Sequence, residues 1–198
     1  MSTFSVLGNK GTGNYVQVDD ARGVQLFGDC TVFDDLRFPA TAINPAGTIA
    51  PATFDTTRIG FSFSASATNQ IAIIAQMPHG WKIGSSIHPH IHWHPIDTNT
   101  GNVYWRMEYK WTNMSEAEPS AWTTVNILDA GDGVADKYQI ADLGAISGTG
   151  KTLSSILKII ISRMGGEATD TYASVAILDE FDIHYEVDTL GSSEEYTK

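Results

Sequence analysis

Alternation of apolar and polar residues with a period of two dominates this chain. Val103, Trp105, Met107, Tyr109 and Trp111 alternate with Tyr104, Arg106, Glu108 and Lys110. Phe181, Ile183, Tyr185 and Val187 alternate with Asp182, His184 and Glu186. Successive side chains of a strand point to opposite faces, so each segment predicts a strand with one apolar and one mostly polar face. Shorter strands are predicted over 14–18, 23–27, 59–65, 70–76, 86–94, 121–128 and 137–143. Clusters such as NPAG (44–47), DTNTGN (97–102) and DAGDG (129–133) separate the strands with turn residues. Helical spacing is scarce. Leu153, Ile156, Leu157, Ile160 and Ile161 in TLSSILKIIISR (152–163) fit it, but three consecutive isoleucines favour a strand. The segment is read as a buried strand.

About eight regularly spaced strands across 55–188 predict an all-β fold, an antiparallel β-sandwich of jelly-roll type, over residues 51–198. Residues 1–50 differ. They are Gly-rich, hold two short strand-like pieces and run into FPATAINPAGTIAPAT, whose prolines and small residues suit an extended connection. They are read as an N-terminal arm that packs on its own body or on a neighbour. The tail DTLGSSEEYTK is polar and expected at the surface.

Charge and composition then narrow the classes. The 198 residues carry 12 Lys+Arg against 23 Asp+Glu, a formal charge of -11. Duplex nucleic-acid binding rests on phosphate neutralisation, so such a chain is a poor candidate for it. The single cysteine, Cys30, excludes an intrachain disulfide framework, and its strand-like context predicts a buried thiol. No apolar run approaches the roughly 20 residues of a membrane-spanning helix. The N-terminus lacks the apolar stretch of a signal peptide, so the expectation is a soluble protein made in a cytoplasm and not exported by the signal-peptide route, with no membrane partner.

The most distinctive segment is MPHGWKIGSSIHPHIHWHPID (77–97). On a strand, His88, His90, His92 and His94 share one face, with Pro89, Ile91, Trp93 and Pro95 on the other. Successive histidines would lie roughly 6.5–7 Å apart. One pair suits one metal, whereas a row about 20 Å long does not. Three readings stay open: a divalent-metal site within one chain, a metal site shared between chains on a trimer axis, and a metal-free interface. Pro89 and Pro95 favour an edge strand. Gly84, His90 and His92 also reproduce the G-x5-H-x-H opening of a cupin signature. Asp97 stands where a cupin has Glu, and Tyr104 where it has Gly. The remaining downstream histidine, His184, lacks the second cupin context. His79 is read as a turn or packing residue.

Other motifs have bland readings. SGTGKT (147–152) followed by VAILDE (175–180) imitates Walker A and B, but Ala145 stands where a P-loop needs Gly. The segment is read as a Gly-rich turn. Asn113-Met114-Ser115 is a chance glycosylation pattern in a chain without a signal peptide. DAGDGVAD (129–136) lacks EF-hand spacing and is read as an exposed loop. Asp179, Glu180 and Asp182 are read as a solvated strand face. Five tryptophans, Trp81, Trp93, Trp105, Trp111 and Trp122, crowd the middle of the chain. A glycan-binding module would expose them as a platform, but Trp105 and Trp111 fall on an apolar strand face and are read as core.

The phrases DDLRFP (34–39), MPHGWKIGSSIHPHIHW (77–93) and EFDIHYEVDTLG (180–191), with the EEYTK ending, resemble a group of tailed-bacteriophage and prophage proteins encoded among virion structural genes. The resemblance implies a virion protein and carries no catalytic residues. A small β-body, an arm and an acidic charge are similar to capsid decoration or cement proteins, which are often trimeric knobs on the capsid lattice. The expectation is a non-enzymatic virion structural protein, most simply a homotrimeric decoration protein. Its partners would be itself and the major capsid protein or another virion protein. The metal ligands, where there is a metal, would be drawn from His88, His90, His92 and His94. The alternatives are a neck, tail or head-fibre component that binds glycans, and a cupin-like metal-dependent enzyme using His90 and His92.

Overall fold

The computed structural model describes residues 5–19, 23–43, 50–192, 194–195 and 197. Among them are thirteen strands and three short 3-10 turns, with no α-helix. The strands are β1 (Ser5–Asn9), β2 (Asn14–Asp19), β3 (Gly23–Phe27), β4 (Val32–Pro39), β5 (Thr53–Asp55), β6 (Gly60–Phe63), β7 (Thr68–Gln76), β8 (Ile87–Pro95), β9 (Asn102–Thr112), β10 (Thr123–Ala130), β11 (Gln139–Asp142), β12 (Ile156–Met164) and β13 (Ala176–Val187).

The strands β6 to β13 form the sandwich. One sheet runs β11-β8-β13-β6-β5 and the other β10-β9-β12-β7, and neighbouring strands pair antiparallel. From β6 onward, successive strands alternate between the sheets as 6, 8, 11, 13 against 7, 9, 10, 12, except that β9 and β10 form a hairpin. This is jelly-roll topology, with a four-stranded sheet packed over a six-stranded one that also takes in β5 and β4. The alternation read from the sequence decides which side chains meet there. Ile87, Ile91 and Trp93 of β8 and Phe181 and Ile183 of β13 face Val103, Trp105 and Met107 of β9 and Ile159 and Ile161 of β12, all buried. Phe63 and Trp93 set their rings edge-on to Trp105, at centroid separations of 5.2 and 6.2 Å. Each such buried side chain contributes roughly 1.5–3 kcal/mol.

The isoleucine segment is an interior strand, as expected, since β12 lies between β9 and β7. It begins at Ile156 and not at 152, because Leu153 and Ser154 form a turn with Ser154 at φ +58°. Its C-terminal end carries Arg163, whose side chain is wholly buried. Arg163 grips Asp170 with Nε at 2.8 Å and Nη2 at 2.7 Å, and donates from Nη1 to the carbonyls of Phe63 and Ser174.

The N-terminal segment differs from a simple arm over 1–50. Residues 32–39 are β4, which pairs with β13 from Val32↔Val187 to Pro39↔Glu180 and so extends the sandwich sheet. β13 is twelve residues long, and its outer edge is shared by β6 at the start and β4 along the rest. The strands β1, β2 and β3, within 5–19 and 23–27, form a separate sheet. The extended connection expected before residue 53 falls partly on 44–49, outside the described residues. In the tail, Thr189 is buried at 3% exposure, while Leu190 is exposed.

Candidate functional site

β8 alternates as read. Ile87, Pro89, Ile91, Trp93 and Pro95 turn inward, and His88, His90, His92 and His94 line the outer face of the sheet. β8 is not an edge strand, however. It lies between β11 and β13. The prolines are tolerated because β11 is short and covers only His90–Trp93, so Pro89 and Pro95 bracket the paired stretch. Their carbonyls still accept, from Leu143 N and Asp136 N.

The four histidines do not act as one row. A residue opposite on the next strand lies about 4.5–5.5 Å away, nearer than the next histidine along β8. Each histidine is therefore claimed by what stands on its neighbours. The register sets Asp182 opposite His90 and His184 opposite His88, and on the far side of β13 it sets Asp35 opposite His184. Asp182 becomes the hub. His92 Nε2 meets its Oδ2 at 3.0 Å, His184 Nε2 meets Oδ2 at 3.4 Å, and His90 Nδ1 stands 3.5 Å from Oδ1. His184 Nε2 also lies 3.2 Å from Asp35 Oδ1, and the His90 and His184 rings are 4.4 Å apart. One ligand atom from each of His90, Asp182 and His184 falls within 4.8 Å of the other two.

Of the four histidines expected as ligands only His90 belongs to this trio; His92 holds Asp182 from outside it, and His88 and His94 stand apart. His88 sits edge-on to Phe33. His94 is buried and pairs through Nδ1 with Asp179 Oδ2 at 2.8 Å. Asp179 is the extra residue of a bulge in β13, between Leu178 opposite Trp93 and Glu180 opposite His92. A bulge re-aims the side chain it carries, here towards His94.

Asp182 is not a solvated residue of an exposed face. It is 4% exposed, and its Oδ1 and the Nδ1 of His90 are buried without a hydrogen-bond partner. At 3.5 Å they do not satisfy one another. Burial alone would raise the Asp182 carboxyl. The hydrogen bond and charge of His92, with His184 and His90 beside it, outweigh burial and hold it below its ordinary value. Burial, then the neighbouring His184, push the His90 imidazole down towards its neutral form. The hydrogen bond to Asp182 raises His92. Two imidazoles and one carboxylate form a donor set suited to a divalent transition metal.

Sequence reasoning found His90 and His92 but missed Asp182, His184 and Asp35. The available signal was the D-x-H pair at 182 and 184, which alternation puts on the polar face of β13. Which strand β13 joins was not readable.

The other singled-out motifs resolve locally. His90 and His92 face outward, and Asp97 accepts from Tyr172 and Ser174 in a loop network, so the cupin-like spacing gathers no common site. The SGTGKT segment is a turn. Lys151 N donates to Gly148 O, and Lys151 Nζ donates to Trp111 O at 2.8 Å. His79 bridges Ser192 and Ser154, as a packing residue would. Cys30 is half-buried in a 3-10 turn, not fully buried. Trp81, Trp93, Trp105 and Trp111 are core, leaving Trp122 exposed beneath Lys110. They offer no row of tryptophans for stacking sugars.

No family model matches the chain, and no curated protein matches it. Among solved structures it is similar to an Arthrobacter globiformis T6 isomalto-dextranase complexed with panose, at 16% identity and TM-score 0.43, over 75% of this chain and 23% of that one. It is also similar to the CBM36-1 domain of a multidomain xylanase from the hindgut metagenome of Trinervitermes trinervoides, at 9% identity and TM-score 0.42, over 76% of this chain and 96% of that one. A third is infectious bursal disease virus Gt strain, at 12% identity and TM-score 0.31, over 90% of this chain and 45% of that one. The chain thus spans under half of the dextranase and virus chains.

Proposed function

We propose that this chain is a non-enzymatic structural protein of a tailed-phage virion, a capsid decoration protein that works as a homotrimer and seats on the major capsid protein. One observation carries the assembly part of this reading. Among the described residues of the β1-β2-β3 sheet, none is buried, and Leu7 and Val18 are exposed at 76% and 45%. A three-stranded sheet needs an apolar face packed on something to be stable. Among the described residues it is tied to its own body through backbone links from β3. Leu26 N donates to Asp188 O at 2.6 Å, and Gln25 bridges to Thr189. Tyr15 and Phe27 stack on each other with centroids 4.4 Å apart. Such a sheet is built to finish its packing on a neighbour, either a second copy or the capsid surface. The virion part rests on the phrases quoted above from the histidine and C-terminal segments.

Native mass spectrometry of the full chain, with peptide mass spectrometry of purified particles from the phage or induced prophage that encodes it, tests both parts. The expected result is a trimer, with the chain present in particles. A monomer at tens of micromolar would remove the oligomer. Absence from particles would remove the virion assignment.

A further inference from the structure

We propose that His90, Asp182 and His184 bind one divalent transition-metal ion of the zinc class on the outer face of the sandwich, with a fourth position open to water or an external ligand. The inference stands on the geometry of this face and does not depend on the virion reading.

Three observations carry it. Bonds of 2.0–2.1 Å in tetrahedral geometry place ligand atoms about 3.4 Å from one another. His90 Nδ1 to Asp182 Oδ1 is 3.5 Å, and His184 Nε2 to Asp182 Oδ2 is 3.4 Å. His90 Nδ1 and Asp182 Oδ1 are thus spaced for a shared ion while poorly placed for a direct hydrogen bond; the His184 contact is to the second oxygen of Asp182, and one ligand atom from each of the three residues lies within 4.8 Å of the other two.

The second observation is the pair of orphans. Asp182 Oδ1 and His90 Nδ1 are buried and unpartnered. A buried polar atom left unsatisfied costs about 1–3 kcal/mol. A cation between them would satisfy both at once, since each offers a lone pair. The third is support around the trio. His92 holds the second oxygen of Asp182 at 3.0 Å, the kind of outer contact that fixes a ligand carboxylate. Asp142 Oδ1 stands 3.6 Å from His90 Nε2, the nitrogen that would remain free when Nδ1 binds metal. At that distance there is no direct hydrogen bond, but the charge of the Asp142 carboxylate beside Nε2 favours a proton there and leaves Nδ1 as the ligand. Two imidazoles and one carboxylate select the harder to borderline first-row ions over calcium or magnesium, which prefer all-oxygen sites.

The open position follows from the exposures. The side chains of His90 and Asp182 are 14% and 6% exposed, whereas that of His184 is 37% exposed. The ion would be anchored from below and approached past His184 and Asp35.

The test is a titration of tag-free full-length protein with Co2+, which reports four-coordination through its visible d–d bands, followed by displacement with Zn2+. The parent should take up one Co2+ per chain at micromolar concentration with four-coordinate bands. His184→Ala changes a half-exposed residue, so its fold should survive, as circular dichroism would confirm. It should weaken binding at least tenfold and abolish the bands. His88→Ala should leave both unchanged. No stoichiometric uptake by the parent, or uptake unaffected by His184→Ala, or uptake lost in His88→Ala, would each overturn the assignment.

Discussion

The indole Nε1–H of Trp93 donates to the Asp129 carboxylate at 2.6 Å, and this bond links the β8 sheet to the β10 sheet across one end of the core. Burial raises the Asp129 carboxyl, and the bond from Trp93 offsets this only in part. A carboxyl with a higher pKa in the folded than in the unfolded state gives stability that is complete below the unfolded value, near 3.9, and is lost as pH rises through the folded value. At neutral pH the ionised Asp129 is therefore a cost to folding. Asp129→Asn keeps an oxygen to accept from Trp93 and removes the charge. It should be more stable than the parent at pH 7, with the advantage vanishing below about pH 4. Urea unfolding at several pH values checks this; a pH-independent difference would refute it.

Arg163 is the second buried charge on which the fold depends. Its guanidinium holds Asp170 and the carbonyls of Phe63, Tyr172 and Ser174, tying the end of β12 to the segment before β13. Replacing it by Met removes one partner of a buried pair and strands the other. The expected loss is about 3–5 kcal/mol, measured by chemical unfolding. A loss under about 1 kcal/mol would mean that Asp170 finds water or protonates without strain.

How much of this was legible in the sequence differs between fold and site. The alternations at 103–111 and 181–187 set the faces of β9 and β13, because burial of one face is a local, period-two property. The same rule placed all four β8 histidines on one face. It could not say that His184 would stand beside His90, because strand order in a jelly roll is decided by crossovers between distant segments. Residues 32–39 illustrate the same limit. Val32 and Phe33 are adjacent and remain exposed, and Asp34 and Asp35 follow them, so alternation is broken and only pairing with β13 reveals these residues as part of the sandwich. The edge-strand reading of β8 failed because the prolines report where pairing stops, not whether a partner is present.

The Walker-like segment makes a further prediction. A Cβ at Gly148 would overlap the Ser85 carbonyl and lie 2.5 Å from Trp81 Cζ2. Trp81 is wholly buried against Trp111. Gly148→Ala should therefore cost about 1–3 kcal/mol through overpacking. Neither it nor the parent should bind nucleotide, because Lys151 is committed to the Trp111 carbonyl. Thermal unfolding and equilibrium dialysis with ATP and Mg2+ check both halves. Saturable ATP binding by the parent would reverse the reading.

The exposed N-terminal sheet gives the last prediction, and it separates a contact within one chain from one between chains. Leu7 lies on β1, is 76% exposed, and belongs to a sheet with no buried residue among those described. Leu7→Glu puts a charge on the face that the assembly reading assigns to a neighbour, and Leu7 is not part of the sandwich core. Charge at the core of an interface is unfavourable. The variant should therefore keep the parent's unfolding transition when compared as a dilute monomer. It should also shift the oligomer to monomer, by at least tenfold in dissociation constant, in sedimentation equilibrium. Val18→Glu, on the paired strand β2, should act in the same direction, and Ile74→Glu, exposed on β7 of the sandwich, should not. If Leu7→Glu instead lowered the monomer's own stability, the sheet would be packing on its own body. If it changed neither quantity, the sheet would be no interface between copies.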